Sequence, residues 1–242
     1  RDTNAILEAA ARGRMGALVV AGVDPSDVED PQLADEALDN VGFLVSLELR
    51  MSAVARRADV VFPVAAVAEK AGSFVNWEGR LRTFEQALET PNIGAALPDG
   101  RVLDAIAAQM GVSLHTGDVY AIRRELGSLP ATLYTKPAPV YPREAPSSRT
   151  RLVTWPQLID LGALLDGDEV LAGTARPSAV RLSKAWGAAD GDPVTVSTER
   201  GSITLPALVT DMPDDMVWLP TNSPGSTVRR TLGPVRNVQV SL

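Results

Sequence analysis

The sequence predicts an α/β domain built on a parallel sheet, followed by a small closed β-barrel or sandwich. Over about the first 115 residues, apolar strand-like runs alternate with helical patterns, which is typical of βαβ units. Five prolines then cluster between residues 129 and 150, and short runs of alternating apolar and polar residues follow. We therefore predict an α/β domain at 1–128, a linker at 129–150 and a barrel at 151–242.

Three apolar runs in the first domain are predicted to be strands. The first run is apolar throughout, as expected for a strand that is covered on both faces. Because such runs alternate with helical patterns at short intervals, we expect the strands to be parallel. The predicted strands are Ala17–Ala21, Phe43–Ser46 and Asp59–Pro63.

The helices of this domain are predicted from caps and from apolar residues at helical spacing. Asp30 is placed to cap a helix that has Pro31 at its first position, and Ser52 to cap a short helix that ends at Arg56. A further helix begins after Asp118. The residues predicted to face inward are Ile6, Leu7, Ala10, Leu33, Ala37, Leu38, Leu103, Ile106, Ala107, Met110, Val119, Ile122 and Leu126.

The segment between the two domains is predicted to be an extended strap. Its prolines remove amide donors and favour extended geometry in the residues that precede them. Four apolar or aromatic residues in it are suited to docking on a surface, so the strap need not be disordered. They are Leu133, Tyr134, Val140 and Tyr141.

The last domain is predicted to open with a short helix and to continue as strands. Thr154 and Gln157 have the spacing of a capping box, and the glycines after Asp190 and Arg200 mark tight turns. The inner face of the short helix would carry Leu158, Leu161 and Leu165. The predicted strands contain Glu169–Leu171, Ala179–Leu182, Pro193–Val196, Ser202–Leu205, Met216–Leu219 and Val238–Val240.

The composition excludes several classes of chemistry. The chain has no cysteine, so we expect no iron–sulfur cluster, thiolate zinc site or thiol catalysis in it. Its single histidine, His115, lies in a predicted turn. A net charge of −7 without a dense stripe of Lys and Arg argues against nucleic-acid binding. The longest apolar runs fall short of the ~20 residues of a membrane helix, so no direct membrane insertion is expected.

Two segments, one in each domain, indicate more than a fold class. The first comprises Ala58–Pro63 and Glu69–Arg80, and the second comprises Ala188–Val196, Arg200–Ile203 and Val217–Pro220. The first resembles the signature ADVVLP…AEKxGTFxNxEGR of the molybdopterin oxidoreductase superfamily, and the second is similar to the molydopterin-dinucleotide-binding domain of that superfamily. The resemblance implies a Rossmann-like parallel-sheet portion of the molybdopterin oxidoreductase fold, followed by a double-psi β-barrel.

Three segments carry a more specific resemblance within the superfamily: Ser46–Arg50, Val75–Arg80 and Leu171–Pro177. They resemble the iron–sulfur subunits of bacterial respiratory NADH–quinone oxidoreductases. The resemblance implies that the parent complex, complex I, oxidises NADH and reduces quinone, with the clusters of this subunit in an N-terminal region. We expect this portion to hold no cofactor, to contact other peripheral-arm subunits and to lie at the cytoplasmic face of the plasma membrane. The start at Arg1 instead of Met suggests a fragment.

Two other interpretations stay open. The chain is also similar to the C-terminal portion of a molybdopterin-dependent, formate-dehydrogenase-like oxidoreductase, which would bind half of the dinucleotide cofactor between its two domains. Stoichiometric molybdenum or tungsten in the full-length protein would favour that interpretation. The third one, an unrelated nucleotide-binding α/β protein, is disfavoured because the sequence lacks Gly-x-Gly-x-x-Gly.

Gly72, Asn76, Glu78 and Arg80 are the candidate site residues, and no residue is assigned a catalytic step. The resemblance implies a vestigial dinucleotide loop, with Asn76 towards the pterin or guanosine and Arg80 towards phosphate. The structural alternative is a tight turn that Glu78 and Arg80 hold while Trp77 buries its indole. We favour this alternative, because cofactor-binding relatives often have a small residue at the position of Trp77.

Other polar segments are predicted to be structural. Gly22–Pro25 follows a strand but is interpreted as a turn, because Asp24 would repel an anionic nucleotide. Gly173–Ser178 has few side-chain donors, and Thr221–Ser226 is a plain loop or, alternatively, an anion cradle. Arg229–Arg230 would contact a neighbouring subunit or be solvated. The carboxylates from Asp24 to Asp39 lack calcium-loop spacing and would cap or solvate a helix.

Overall fold

The computed structural model describes residues 2–89, 96–129 and 150–242. The chain forms two compact units that interleave along the sequence. The barrel unit comprises Arg1–Glu8, Asp24–Ala37 and Tyr141–Leu242, and the sheet unit comprises Ala9–Val23 and Leu38–Val140. The predicted domains were continuous in sequence, and their limits stay a prediction. The predicted strap falls almost entirely on residues 130–149, which lie outside the described residues.

The sheet unit contains a three-stranded parallel sheet in the order β1-β2-β3, as predicted. Helices α1 (Thr3–Ala11) and α2 (Pro31–Asn40) begin in the barrel unit and end in the sheet unit. The other elements up to residue 129 are β1 (Leu18–Ala21), β2 (Leu44–Glu48), β3 (Val60–Pro63), β4 (Gly72–Val75), β5 (Leu81–Phe84), α3 (Asp99–Gln109) and α4 (Val119–Ser128).

The middle strand, β2, forms the centre of the sheet unit. Leu44 and Leu47 are almost completely buried, and each such leucine stabilises the fold by roughly 1.5–3 kcal/mol. Leu47 packs with Val64 and Val102, whereas Leu44 packs with Leu38 and Val54. The prediction that the first strand is covered on both faces was wrong. As an edge strand, β1 alternates half-buried and exposed residues.

The predicted caps are only partly confirmed. Asp30 and Asp118 cap α2 and α4, because their carboxylates accept hydrogen bonds from the first-turn amides. Ser52 accepts a bond from the Ala55 N–H, but turns replace the predicted helix there. On α3 the predicted face was wrong at two residues: Leu103 and Met110 are exposed. The row that faces the core contains Val102 and Ile106, one helical turn apart.

The barrel unit contains a closed six-stranded barrel in the order β10-β6-β13-β8-β9-β7. Strands β6 and β10 pair in parallel, as do β7 and β9, and the remaining neighbours are antiparallel. The elements are β6 (Thr150–Trp155), α5 (Glu169–Ala172), β7 (Val180–Leu182), β8 (Pro193–Ser197), β9 (Ser202–Val209), β10 (Met216–Pro220), β11 (Asn222–Ser223), β12 (Ser226–Thr227), α6 (Val228–Leu232) and β13 (Asn237–Ser241).

Alternating residues of these strands fill the barrel. The interior holds fully buried aliphatic side chains, and the solvent side carries the polar partners of the period-2 pattern. This confirms the predicted barrel and five of its strands. The interior side chains include Val180, Leu182, Val194, Val196, Val217 and Leu219.

Two predictions between residues 154 and 171 were wrong. Thr154 does not cap a helix, because it lies in β6, whose pairing with β10 holds the backbone extended. The predicted inner face of that helix is open to solvent, with Leu158 and Leu161 exposed. The predicted strand Glu169–Leu171 is instead the start of α5, which the Asp168 carboxylate caps through the Leu171 N–H.

None of the helices in the described residues has the length and apolar character needed to cross a bilayer.

Candidate functional site

The site predicted from the sequence lies on the antiparallel hairpin of β4 and β5 in the sheet unit. Gly72 opens β4 opposite Phe84, and a Cβ at Gly72 would lie 2.6 Å from the Phe84 ring. That ring also stacks on Phe74, with 5.1 Å between the centroids. Glycine at this position is therefore explained by close packing inside the hairpin.

The turn between the two strands satisfies its own polar groups. The Asn76 side-chain oxygen accepts hydrogen bonds from the backbone N–H groups of Glu78 (3.1 Å) and Arg80 (2.8 Å). The Glu78 carboxylate accepts from the Asn76 amide at 3.4 Å and pairs with the Arg80 guanidinium at 3.2 Å. The three polar candidates thus bond to one another, which agrees with the tight-turn alternative.

Trp77 occupies the tip of this turn, and the prediction that it buries its indole was wrong. The side chain is 94% exposed. The reason is its position: a two-stranded hairpin offers no second layer at its tip on which the ring can pack. The hydrogen bonds of Asn76, rather than burial of an aromatic ring, fix this turn.

A groove of about 590 Å³ lies beside the hairpin, between β4, the start of α3 and one face of α4. Ile122 and Leu126 of that face, predicted to face inward, are exposed in the groove. Of the four candidates, Gly72 lines the groove, whereas Asn76, Glu78 and Arg80 do not. Three cations in its wall have partners within the sheet unit. Lys70 pairs with Asp99, Arg123 pairs with Glu85, and Arg101 donates to the Gly117 carbonyl at 2.8 Å. The groove therefore suits an apolar group better than a nucleotide phosphate.

Arg123 is a structural residue that the sequence did not identify. Its guanidinium donates to the carbonyl oxygens of Gly72 and Phe84, both at 2.9 Å, and lies 5.5 Å from the centre of the Tyr120 ring. Arg123 thereby ties α4 to both strands of the hairpin. Its helical position gives no sequence signal for these contacts, because its partners lie 39 and 51 residues away.

The loop Thr221–Ser226 in the barrel unit folds as the small hairpin β11–β12, with Gly225 at φ +78°. The cavity beside it has a volume of about 20 Å³, which is the scale of a single water molecule. A phosphate group is larger than that, so this geometry favours the plain loop over the anion cradle.

In Gly173–Ser178, the hydroxyl of Thr174 donates to the Leu171 carbonyl.

Arginines of the barrel bind the acidic segment of the same unit, Asp24–Ala37. The two nitrogens of Arg200 donate to the two Asp30 oxygens, each at 2.9 Å. Arg230 pairs with Asp35 at 2.7 Å, and Arg229 donates to the Asp27 carbonyl. Arg229 and Arg230, predicted to contact a neighbouring subunit or to be solvated, are exposed and also bind this segment; contact with a neighbouring subunit stays a prediction.

Two carboxyl groups of this segment have pKa values that are shifted in opposite directions. The hydrogen bonds from Arg200 lower the pKa of Asp30, because they favour its charged form. Burial, followed by the charge of Asp24, raises the pKa of Asp27. Among the described residues, no cluster of three or more His, Cys, Asp or Glu could hold a metal ion. Asp30 caps α2 and binds Arg200, and Asp35 binds Arg230.

The remaining sequence candidates lie in a turn and in a loop. Gly22 adopts φ +59° after β1 and donates its N–H to the Leu47 carbonyl, and Asp24 accepts from the Ser26 N–H, which confirms the predicted turn at Gly22–Pro25. His115, predicted to be a turn residue, lies instead in an exposed irregular loop at φ +56°, with its ring 3.1 Å from the Ser113 hydroxyl.

Comparison with known proteins agrees with this architecture. Residues 2–109 match the molybdopterin oxidoreductase family, and residues 181–237 match the molydopterin dinucleotide binding domain. The chain belongs to the molybdopterin oxidoreductase superfamily. Among solved structures, acetylene hydratase from Pelobacter acetylenicus has a similar fold. Its TM-score is 0.66 at 15% identity, over 98% of this chain and 46% of that one.

Among curated proteins, the chain is similar to G subunits of NADH-quinone oxidoreductases and, over a shorter stretch, to formate dehydrogenases. It is 53% identical over 241 residues to the G subunit of NADH-quinone oxidoreductase from Mycobacterium tuberculosis, covering 96% of this chain and 30% of the relative. The corresponding Streptomyces coelicolor protein is 47% identical, over 96% of this chain and 29% of its own length. A formate dehydrogenase alpha subunit from Methanococcus maripaludis is 38% identical over 34% of this chain and 13% of its own length. The chain thus spans about a third of the NADH-quinone oxidoreductase relatives.

The superfamily takes its name from a molybdopterin cofactor. The four candidate site residues of this chain are poorly arranged to bind that cofactor. Asn76, Glu78 and Arg80 direct their hydrogen-bonding groups to one another. Gly72 is packed against Phe84. No step of chemistry is therefore assigned to these four residues.

Proposed function

We propose that this chain is the C-terminal portion of the G subunit of NADH–quinone oxidoreductase and that it serves as a structural part of the complex. The parent complex would oxidise NADH and pass electrons to quinone. The observation that carries the proposal is the 53% identity to such a subunit across nearly the whole chain. Identity of that order over two domains exceeds what a shared fold alone requires.

The side chains support a structural role over a catalytic one. The sequence contains no cysteine, so thiolate ligation of an iron–sulfur cluster is impossible within it. We therefore place the clusters of the parent subunit outside this portion and assign it no cofactor. Gly72, Asn76, Glu78 and Arg80 are in this view remnants of a dinucleotide loop that now hold a hairpin together.

The finer fold assignment is part of the same proposal. We assign the parallel sheet to a Rossmann-like portion of the superfamily fold and the barrel to the double-psi type. Six strands with two parallel pairs, β6–β10 and β7–β9, support the barrel assignment. The proposal further places the chain among the peripheral-arm subunits, at the cytoplasmic face of the plasma membrane.

The test replaces the three polar turn residues in the full-length subunit, as Asn76→Ala, Glu78→Ala and Arg80→Ala together, in the native host. We expect the purified complex to keep its rate of NADH-driven quinone reduction per assembled complex. Molybdenum and tungsten should stay far below one atom per subunit by metal analysis. The control is Arg176→Ala, which changes an exposed arginine on the barrel unit.

Loss of the rate in complexes that still assemble would contradict the structural role. Stoichiometric molybdenum or tungsten would instead favour the second candidate, a formate-dehydrogenase-like oxidoreductase. That candidate is supported by similarity to formate dehydrogenases, such as the 38% identity to the Methanococcus maripaludis protein over 90 residues. Because the formate dehydrogenase matches cover 34% to 53% of the chain, they support the second candidate less than the NADH-quinone oxidoreductase relatives, which cover 96% of it, support the first.

A further inference from the structure

Residues 155–173 of the barrel unit, which we call the leucine segment, expose an unusual number of large apolar side chains. Single exposed apolar residues are ordinary on protein surfaces, but here six occur within one short stretch. Leu164 is 100% exposed, Leu158 96% and Val170 85%. The other three are Trp155, Leu161 and Leu171.

The leucine segment is held in place by defined contacts. The Leu161 N–H donates to the Asn222 carbonyl at 2.9 Å, which fixes the middle of the segment to the β11–β12 hairpin. At its start, the Trp155 ring packs on the buried Trp218 ring, with 4.6 Å between the centroids. Its leucines are therefore presented outward on an ordered support.

The charges of the leucine segment all have one sign. It contains four carboxylates and no Lys or Arg. Two of the carboxylates also shape the backbone, since Asp160 accepts from the Gly162 N–H and Asp168 from the Leu171 N–H. The segment thus combines an apolar surface with a uniformly acidic set of side chains, which are Asp160, Asp166, Asp168 and Glu169.

This combination limits what can cover the leucine segment. An anionic membrane surface would be repelled by the carboxylates. A second copy that docked through the same segment would set acid against acid, because a two-fold contact pairs a surface with itself. A protein surface with an apolar centre and a basic rim meets both requirements, since it buries the leucines and matches the charge.

We propose that the leucine segment is a docking surface for a neighbouring subunit of the same complex, whose contact region is apolar and flanked by Lys or Arg. The inference rests on the proposed function, because it needs a multisubunit parent. It assigns to this portion of the chain one specific contact: Leu158, Leu164 and Val170 enter the partner's apolar centre, and the carboxylates face its basic rim.

The test places a photoreactive benzoylphenylalanine at Leu164 of the full-length subunit in membranes of the native host. A matched probe at Met110, which is 76% exposed in the sheet unit, is the control. We expect the Leu164 probe to cross-link to one other subunit, within a peptide that contains apolar residues beside Lys or Arg. The Met110 probe should not reach that peptide.

A second arm tests the charges. The double reversal Asp166→Lys and Glu169→Lys should lower the yield of the Leu164 cross-link about tenfold, because it sets cations against the basic rim. The control reversal, Asp211→Lys, changes an exposed acid elsewhere on the barrel unit and should leave the yield unchanged.

Four results at the Leu164 probe would overturn the inference: cross-links to lipid, to a second copy, to the subunit's own upstream region, or none at all. If one of these occurs in a complex that still oxidises NADH, the docking surface is wrong and the proposed function stands. If the subunit does not copurify with an NADH-oxidising complex, the proposed function fails and the inference fails with it.

Discussion

Two acidic segments of the barrel unit, Asp24–Ala37 and the leucine segment 155–173, use their residues in opposite ways. In the first, carboxylates bond to barrel arginines, as in Asp30–Arg200 and Asp35–Arg230, and the alanines of α2 are buried. In the second, carboxylates cap local backbone and the leucines point to solvent. Two segments of similar acidic character therefore differ: one is bound to its own unit, and the other leaves its apolar side chains exposed to solvent.

The largest difference in unfolding free energy should appear when an aspartate is placed in each segment in turn. Ala34 is 3% exposed in α2, so Ala34→Asp buries a carboxylate and should lower the free energy of unfolding by about 3–5 kcal/mol. Leu164 is fully exposed, so Leu164→Asp should change it by less than ~0.5 kcal/mol. Urea unfolding of the two variants measures both values. Equal losses in the two variants would erase the contrast between the segments.

A smaller loss is expected when the closed segment loses its ion pair. Arg200→Ala leaves the Asp30 carboxylate without its two-pronged partner and should cost about 1–2 kcal/mol of unfolding free energy. The matched change Arg176→Ala removes an exposed arginine and should stay within ~0.5 kcal/mol of the parent. Chemical denaturation of both variants measures the two losses. If Arg176→Ala lowers the unfolding free energy as much as Arg200→Ala, the Asp30 ion pair has no special role in stability.

The smallest effect concerns pH. The pKa of Asp30 is lowered in the folded chain, so the unfolded chain takes up a proton first as the pH falls. The contribution of Asp30 is therefore complete above its unfolded pKa, about 3.9, and is lost as the pH falls through the lower folded pKa. The stability gap between the parent and Arg200→Ala should narrow below about pH 4. A gap that widens there, in unfolding curves measured across the acid range, would contradict this assignment.

The change at Asp27 has the opposite sign. Its pKa is raised, chiefly by burial, so the folded chain binds the proton first; stability rises as the pH falls through the folded pKa of Asp27, and the gain is complete below its unfolded pKa. The parent and Arg200→Ala share this contribution. The difference between them therefore isolates Asp30, which is why the prediction is made for the gap rather than for either curve.

Sequence reasoning succeeded where a signal is local. The strands β2, β3, β8 and β10 are short runs bounded by turns, and Asp30 and Asp118 sit directly before the helices that they cap. In each case the residues that carry the signal and the structure that it predicts lie within one turn or one strand of each other.

The failures have a common physical cause, which is pairing over long distances in the chain. Thr154 and Gln157 have helix-capping spacing, but β10, some sixty residues downstream, holds Thr154 in a strand. The partners of Arg200 and Arg230 lie 170 and 195 positions away, so the sequence around either arginine does not predict these ion pairs. For the candidate site, the motif located the hairpin, but it did not reveal that Asn76 bonds within the turn or that Trp77 stands in solvent.

The interleaving of the two units also constrains the order in which the molecule can form. The barrel arginine Arg200 meets Asp30 across 170 positions, so this ion pair cannot exist until most of the chain has left the ribosome. Asp30 and the first residues of α2 therefore lack their barrel contacts until Arg200 has been synthesised, although the end of α2 belongs to the sheet unit. Contacts of such long range slow folding, and the barrel unit is therefore expected to mature after the sheet unit during synthesis.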